Sequence, residues 1–98
     1  METENLIPLQ AIITHHNVEV TFIDSLHEYG LIEITTVHET RYIFKEQIRE
    51  LEKMIRWHYE LDINPEGIET ISHLLKRVNG LQEELVAARN RLRIYEGE

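Results

Sequence analysis

Three carboxylates lie in a stretch of the chain that has no positively charged side chain. Glu19, Asp24 and Glu28 belong to the first forty residues, which contain seven acids and no Lys or Arg. All ten basic residues follow from Arg41 onward, beside the other eleven acids, so the charge is −7 before residue 41 and −1 after it. Helical carboxylates with no neighbouring cation can attract the Lys and Arg side chains of another protein. The alternative is an ordinary solvated face.

The sequence contains no group of residues that predicts catalysis or a bound metal. None of the six histidines is four residues from another, and the chain has no cysteine, so the usual ligand spacings of a zinc site are missing. Neither a glycine-rich phosphate loop nor a nucleophile with a neighbouring base is present. We therefore expect no enzyme, no catalytic residue, no metal and no cofactor.

Length and composition predict one small folded domain, or one such domain with an appended helix, in a reducing compartment. The 98 residues are 42% hydrophobic, which is typical of a globular chain. The acidic N-terminus lacks the apolar segment of a signal peptide, and no apolar run is long enough to span a membrane. With no cysteine to form disulfides, we expect a cytoplasmic protein with no membrane partner.

Apolar spacing predicts three helices and a β-hairpin in residues 1–62. The helices are expected at about 6–16, 19–29 and 46–61, the last with a stripe formed by Ile48, Leu51, Ile55 and Leu61. Thr21 is the predicted N-cap of the second helix, and Gly30 has the position of a left-handed residue after its end. Alternating and aromatic residues over about 31–44 predict two strands joined by a turn without glycine. The order is that of a helix-turn-helix followed by a β-wing.

Residues 63–96 predict a separate, long helical segment. Asn64 is a favourable N-cap and Pro65 suits the first helical position. Apolar residues then alternate at spacings of four and three, which is the heptad pattern of a coiled coil. We predict a homodimer through this seam, with folding back onto the domain as the alternative. The seam consists of Leu74, Val78, Leu81, Leu85, Ala88 and Leu92, with Tyr95 after it.

Two further groups of residues could contact a partner. Trp57 and Tyr59 are aromatic residues of the kind that anchor interfaces, although Trp57 could instead pack between its helix and the wing. The C-terminal segment carries a basic group, which could bind nucleic acid but could equally pair with Glu83 and Glu84 or border a dimer seam. This group consists of Lys76, Arg77, Arg89, Arg91 and Arg93.

The order of elements and several of their junctions resemble one known family. Residues 24–32 (DSLHEYGLI), 40–44 (TRYIF), 60–68 (ELDINPEGI) and 81–85 (LQEEL) are similar to corresponding segments of the MerR-type winged helix-turn-helix superfamily. The similarity is greatest to its chaperone-modulator branch, CbpM, and extends over about residues 5–95. The resemblance implies a mostly α fold with one β-hairpin: a MerR-like winged helix-turn-helix with a long C-terminal helix.

The chain departs from the DNA-binding members where they contact phosphate. They place Arg on the returning wing strand, at the position of Tyr42, and basic residues on the second helix, which has none here over residues 18–29. CbpM proteins bind and restrain the J-domain of a DnaJ/CbpA-type co-chaperone. The resemblance therefore implies a non-catalytic chaperone modulator, and the alternative is a MerR-like transcriptional regulator that binds DNA as a dimer.

Overall fold

Four α-helices and three short strands form the fold in the computed structural model, which describes residues 5–97. Residues 1–4, which belong to the helix-turn-helix part predicted at 1–62, lie outside the described residues, as does Glu98. A 3-10 turn at Lys45–Gln47 precedes α3. The predicted mostly α fold with a β-wing and a long C-terminal helix is confirmed. In chain order the elements are β1 (Leu6–Pro8), α1 (Leu9–His16), α2 (Val20–Glu28), β2 (Ile34–Val37), β3 (Thr40–Phe44), α3 (Ile48–Leu61) and α4 (Pro65–Tyr95).

The sheet has three strands, so the prediction of a single hairpin was incomplete. β3 is central and pairs antiparallel with β1 on one side and β2 on the other. The first predicted helix was wrong over residues 6–8, because Leu6 and Pro8 pair with Phe44 and Tyr42 across the sheet. An edge strand tolerates Pro8, since one side of its backbone has no strand partner.

The wing turn contains no glycine, as predicted. His38 and Glu39 both have positive φ, at 50° and 66°, and they join Val37 to Thr40, which face each other in the sheet. Two consecutive positive φ angles give the backbone twist that suits a two-residue hairpin turn. The conformation is uncommon for residues with a Cβ, so pairing of the two strands must hold it in place.

The ends of α2 illustrate one wrong and one confirmed prediction. The helix begins one residue before Thr21, and Glu19 is the N-cap, although no side chain caps this end. At the other end Gly30 has φ 75°, its N–H donates to the His27 carbonyl, and the N–H of Leu31 donates to the carbonyl of Leu26. These two bonds are the Schellman arrangement that a glycine in the left-handed region allows.

One apolar core lies among the first three helices, the sheet and the first turn of α4. Ile23, Leu26 and Leu51 are fully buried. Leu61, which we predicted in the apolar stripe of α3, is 64% exposed because it ends the helix, just before the left-handed Asp62. Among the described residues no buried polar side-chain atom lacks a hydrogen-bond partner. The core consists of Leu9, Ile12, Val18, Phe22, Ile23, Leu26, Ile32, Ile43, Leu51, Met54, Ile55 and Ile68.

α4 begins in the core and then leaves it. Asn64 is the N-cap, as predicted, and its Oδ1 accepts from the Gly67 N–H at 2.7 Å, with Pro65 at the first helical position. Ile68 is buried, but in residues 73–95, here called the projecting segment, every residue except Gly80 is exposed. The radius of gyration is 18.3 Å, whereas a compact domain of this size has about 13 Å. Over the described residues no helix combines the length and apolarity needed to cross a membrane.

Candidate functional site

The second helix of the helix-turn-helix, α2, is joined to the wing by an ion pair. Arg41 Nη1 on β3 lies 3.0 Å from Asp24 Oδ1 on α2, and both side chains are nearly half exposed. We expected no cation beside Glu19, Asp24 and Glu28, and this expectation was wrong for Asp24. Arg41 is the first basic residue of the chain. The base that lies closest in sequence to the acidic stretch is therefore already paired within the fold.

Glu19 and Tyr59 are forty residues apart in sequence, but the fold brings them together. The Tyr59 hydroxyl accepts a hydrogen bond from the Glu19 backbone N–H at 3.0 Å, which satisfies one of the unpaired donors at the start of α2. The Tyr59 ring packs edge-on against Phe22, with ring centroids 5.6 Å apart. Tyr59 is still 45% exposed, so it supports α2 and contributes surface beside its N-terminus.

His58 has a structural role that was not predicted: the histidines were expected to be surface residues and not metal ligands. Its ring stacks on Phe22 at 4.2 Å between centroids, nearly parallel. Its Nδ1 lies 2.8 Å from the Ile63 carbonyl oxygen and donates to it when Nδ1 carries the proton. His58 thus connects α2 to the turn before α4. No group of His, Cys, Asp or Glu that could hold a metal occurs within residues 5–97.

Glu28 belongs to a second acidic group, which forms where the C-terminal end of α2 meets the beginning of α4. Tyr29 follows it and is about one-third exposed. Partial burial raises the pKa of the Tyr29 hydroxyl above its usual 10.0, and the carboxylates of Glu66, Glu69 and Glu28 raise it further. Negative charge is therefore concentrated at this end of α2. Glu66 and Glu69 were not predicted as neighbours of Glu28, because the contact depends on how α4 crosses α2.

Trp57 and Tyr59 do not form one patch. Residues two positions apart on an α-helix point about 200° apart, so the side chains of Trp57 and Tyr59 diverge. Trp57 is half-buried against the core and lines an open groove between α3 and α4, together with Leu31, Met54 and Leu75. Tyr59 lines a different depression, beside His16. Of the two, Tyr59 is the one adjacent to the acids of α2.

The predicted seam is exposed and does not fold back on the domain. Leu81 and Leu85 are each 50% exposed, and Leu92 is 57% exposed. Val86 and Ile94, which lie off the seam, are exposed as well. All five basic residues of the C-terminal group also lie on this helix and are exposed. The projecting segment therefore presents an apolar stripe with charges on either side of it, and nothing in residues 5–97 covers it.

One comparison with known proteins gives a match. A family model described as "MerR HTH family regulatory protein" matches residues 7–90, which include both helices of the helix-turn-helix, the wing and most of α4. Searches of the curated proteins and of the solved structures found no significant match.

Proposed function

Because the chain belongs to the MerR HTH family of regulatory proteins, we propose that it is a non-catalytic regulator whose helix-turn-helix docks a basic protein surface. The partner is the J-domain of a DnaJ/CbpA-type co-chaperone, in keeping with the resemblance to the CbpM chaperone modulators. Binding covers the basic J-domain surface that a DnaK-type chaperone needs and so inhibits the co-chaperone. This function belongs in the cytoplasm, where such chaperones work.

The ion pair between Asp24 and Arg41 is the observation that carries this proposal. In residues 1–44 Arg41 is the only Lys or Arg, and it is engaged by a carboxylate of the helix that DNA readers insert into the major groove. Phosphate binding needs free cations at this place. The exposed acids that remain, Glu19 and Glu28, suit a partner surface rich in Lys and Arg. Complementary charge then steers association more than it sets final affinity.

Charge reversal on α2 tests the docking surface. The double variant Asp24→Lys/Glu28→Lys should bind an isolated J-domain of a CbpA-type co-chaperone with a slower association rate, and parent binding should weaken as salt rises. Since Arg41 already pairs with Asp24, Glu28→Lys alone should account for most of the loss. Surface plasmon resonance at several salt concentrations measures the association rate of the parent and of each variant.

A charge-matched control separates local docking from net charge. Glu83→Lys/Glu96→Lys changes the total charge by the same amount, but Glu83 lies in the projecting segment and Glu96 directly follows it, so J-domain association should stay near the parent rate. Addition of the parent chain should also lower J-domain stimulation of a DnaK-type ATPase. Equal binding by the α2 double variant and the parent, at low and high salt alike, would place the interface elsewhere, with the exposed ring of Tyr59 as the next candidate.

A DNA-binding transcriptional regulator is the second candidate, favoured by the family match and by the basic group on α4. It predicts a sequence-specific complex with duplex DNA. Our proposal predicts none near physiological salt. A mobility shift at nanomolar protein that one duplex competes and others do not would replace the first candidate with the second.

A further inference from the structure

The two edges of the three-stranded sheet differ in how they are protected against pairing with another chain. At one edge β1 is only three residues long, and Pro8 in it has no N–H to donate. At the other edge β2 contains no proline and no charged residue, and its register with β3 is continuous, without a bulge. Proteins usually block an exposed edge strand with one of these features. The unprotected edge of β2 is therefore suited to pairing.

The backbone N–H and C=O groups of Ile34 and Thr36 point away from the sheet. In a two-residue hairpin the residues that flank the turn, here Val37 and Thr40, form a hydrogen-bonded pair. Hydrogen-bonded and non-hydrogen-bonded pairs then alternate along the antiparallel ladder, so Thr35 bonds to β3 and its two neighbours do not. We call the outward N–H and C=O groups of Ile34 and Thr36 the open edge.

The side chain of Gln47 gives an independent check of this alternation. Its Oε1 accepts from the Glu33 N–H at 2.9 Å, and its Nε2 donates to the Glu33 carbonyl at 3.3 Å. Gln47 follows shortly after β3, so the backbone of Glu33 points to the β3 side, as that of Thr35 does two residues later. Over residues 5–97 β2 has a strand neighbour on one side only, and no other backbone group bonds to the open edge.

The face of the sheet that points away from the core is apolar beside this edge. Side chains alternate along a strand, so Tyr42 and Phe44 lie on the face opposite to the buried Ile43. Thr35 is paired with Tyr42 and lies on the same outer face. A side chain placed beside Thr35 by a further strand would extend this apolar surface. The partly exposed apolar residues of β1, β2 and β3 that are not packed against the core are Leu6, Val37, Tyr42 and Phe44.

We propose that the open edge of β2 binds an extended segment of a partner protein, which adds a fourth strand to the sheet. Main-chain donors and acceptors at two-residue spacing are complementary to an extended chain, whereas a helix satisfies its own groups. The segment has aromatic or β-branched side chains on the outer face, beside Thr35 and Val37. Its ends are basic, because Glu33 and Glu39 are exposed at the two ends of β2. The inference does not depend on the partner proposed for α2.

Amide hydrogen exchange tests the open edge directly. In the free protein the N–H groups of Ile34 and Thr36 should exchange faster than those of Thr35 and Val37, which bond to β3. The probe is the synthetic peptide Lys-Val-Thr-Tyr-Thr-Val-Lys, whose two threonines pair with Ile34 and Thr36. At saturating peptide both outward N–H groups should exchange more slowly by roughly tenfold. Unchanged exchange at these two groups in millimolar peptide would overturn the proposal.

Methylated peptides separate main-chain pairing from binding through side chains alone. N-methylation of the two threonine amides removes the donors that face β2, so the slowing of exchange should disappear. N-methylation of the two valine amides, which point to the opposite side of the added strand, is the matched control and should preserve the slowing. Equal behaviour of the two methylated peptides would contradict an added strand.

A proline on the protein side removes one donor of the open edge. The Thr36 N–H is not used in the ladder with β3, so Thr36→Pro should keep the fold, which circular dichroism checks. Its peptide affinity should fall by roughly tenfold, because one main-chain hydrogen bond is lost. Thr36→Ala keeps the N–H and should bind as the parent does. Isothermal titration calorimetry measures each dissociation constant, and parental affinity of Thr36→Pro would contradict the proposal.

Hydrogen exchange at several protein concentrations identifies a competing occupant. Without peptide the open edge should exchange at the same rate in dilute and concentrated solution. Slower exchange of Ile34 and Thr36 in concentrated solution alone would show that a second copy pairs with this edge, and it would replace the proposed partner segment.

Discussion

The helix α3 and the projecting segment have similar apolar spacing but opposite burial. On α3 the residues Leu51 and Met54 are buried in the core, whereas Leu81 and Leu85 in the projecting segment are half exposed. Periodicity identifies the residues that share a face, and it does so equally well in both regions. What covers that face depends on the surrounding chain. In the core the cover is the same molecule, whereas nothing in residues 5–97 covers the stripe of the projecting segment.

The two regions also differ in how their charges are arranged. In the first forty residues there are seven acids and no Lys or Arg, and the nearest Lys or Arg, Arg41, is paired with Asp24. Along α4 acids and bases alternate in blocks. A surface of one sign repels its own copy and attracts a partner of the other sign, whereas an alternating surface can complement itself. The contrast suits the basic partner proposed for the helix-turn-helix, whereas the charges of α4 do not select a partner of one sign.

Truncating one leucine in each region should give the largest difference. Leu26→Ala removes a fully buried side chain and should lower the free energy of unfolding by about 2–5 kcal/mol at any protein concentration. Leu81→Ala removes a half-exposed side chain and should cost less than about 0.5 kcal/mol in dilute solution, and the homodimer predicted from the seam would raise this cost when the chain is concentrated. Urea unfolding at two protein concentrations measures both. An equal loss for Leu81→Ala at the two concentrations would mean that Leu81 packs on its own body.

Two glycines of α4 should respond to alanine with opposite signs. A Cβ at Gly67 would lie 2.8 Å from Ile63 Cγ2, so Gly67→Ala should destabilise by about 1 kcal/mol even after the gain in helix propensity. At Gly80 a Cβ meets nothing within 4 Å, and Gly80→Ala should stabilise by up to about 1 kcal/mol. Thermal unfolding by circular dichroism gives both values. Destabilisation at Gly80 would show that something packs there.

The ion pair between Asp24 and Arg41 should contribute little to stability. Both groups are nearly half exposed, so a double-mutant cycle with alanine should give a coupling of about 0.2–1 kcal/mol that shrinks in high salt. The Glu50–Lys53 pair on α3, 3.3 Å apart, is the control within one helix. A coupling well above this range would indicate that the pair holds the wing in place, beyond its effect on surface charge.

Tyr29 should show the smallest effect, in alkaline solution. Its raised pKa means that the folded state retains the hydroxyl proton more strongly than the unfolded state does. The resulting stability is fully present below pH 10 and is lost as the pH rises through the folded pKa. Tyr29→Phe should therefore flatten the fall in stability above pH 10, and ultraviolet titration should find one tyrosine that ionises late. Unchanged alkaline behaviour would contradict the contact with the α4 carboxylates.

Structural features that depend on only a few neighbouring residues could be predicted from the sequence. The Asn64 cap, the first-turn proline at residue 65 and the left-handed Gly30 were all predicted, because each depends on its own backbone and on near neighbours. The wrong N-cap at Thr21 shows the limit of such predictions. Glu19 takes that position, and the Tyr59 hydroxyl satisfies its N–H from α3 instead of a local side chain.

Contacts between distant residues were decided only by the tertiary structure. The sequence by itself determined the four α-helices, the two wing strands, the apolar seam and the division of charge, since these follow from spacing and composition. It could not show that residues 6–8 would pair with β3, that Arg41 would reach Asp24, or that Glu66 and Glu69 would join Glu28. Each of these contacts depends on how elements far apart in sequence pack against one another, and that packing minimises the exposed apolar surface of the whole body. The same packing leaves the heptads of α4 uncovered.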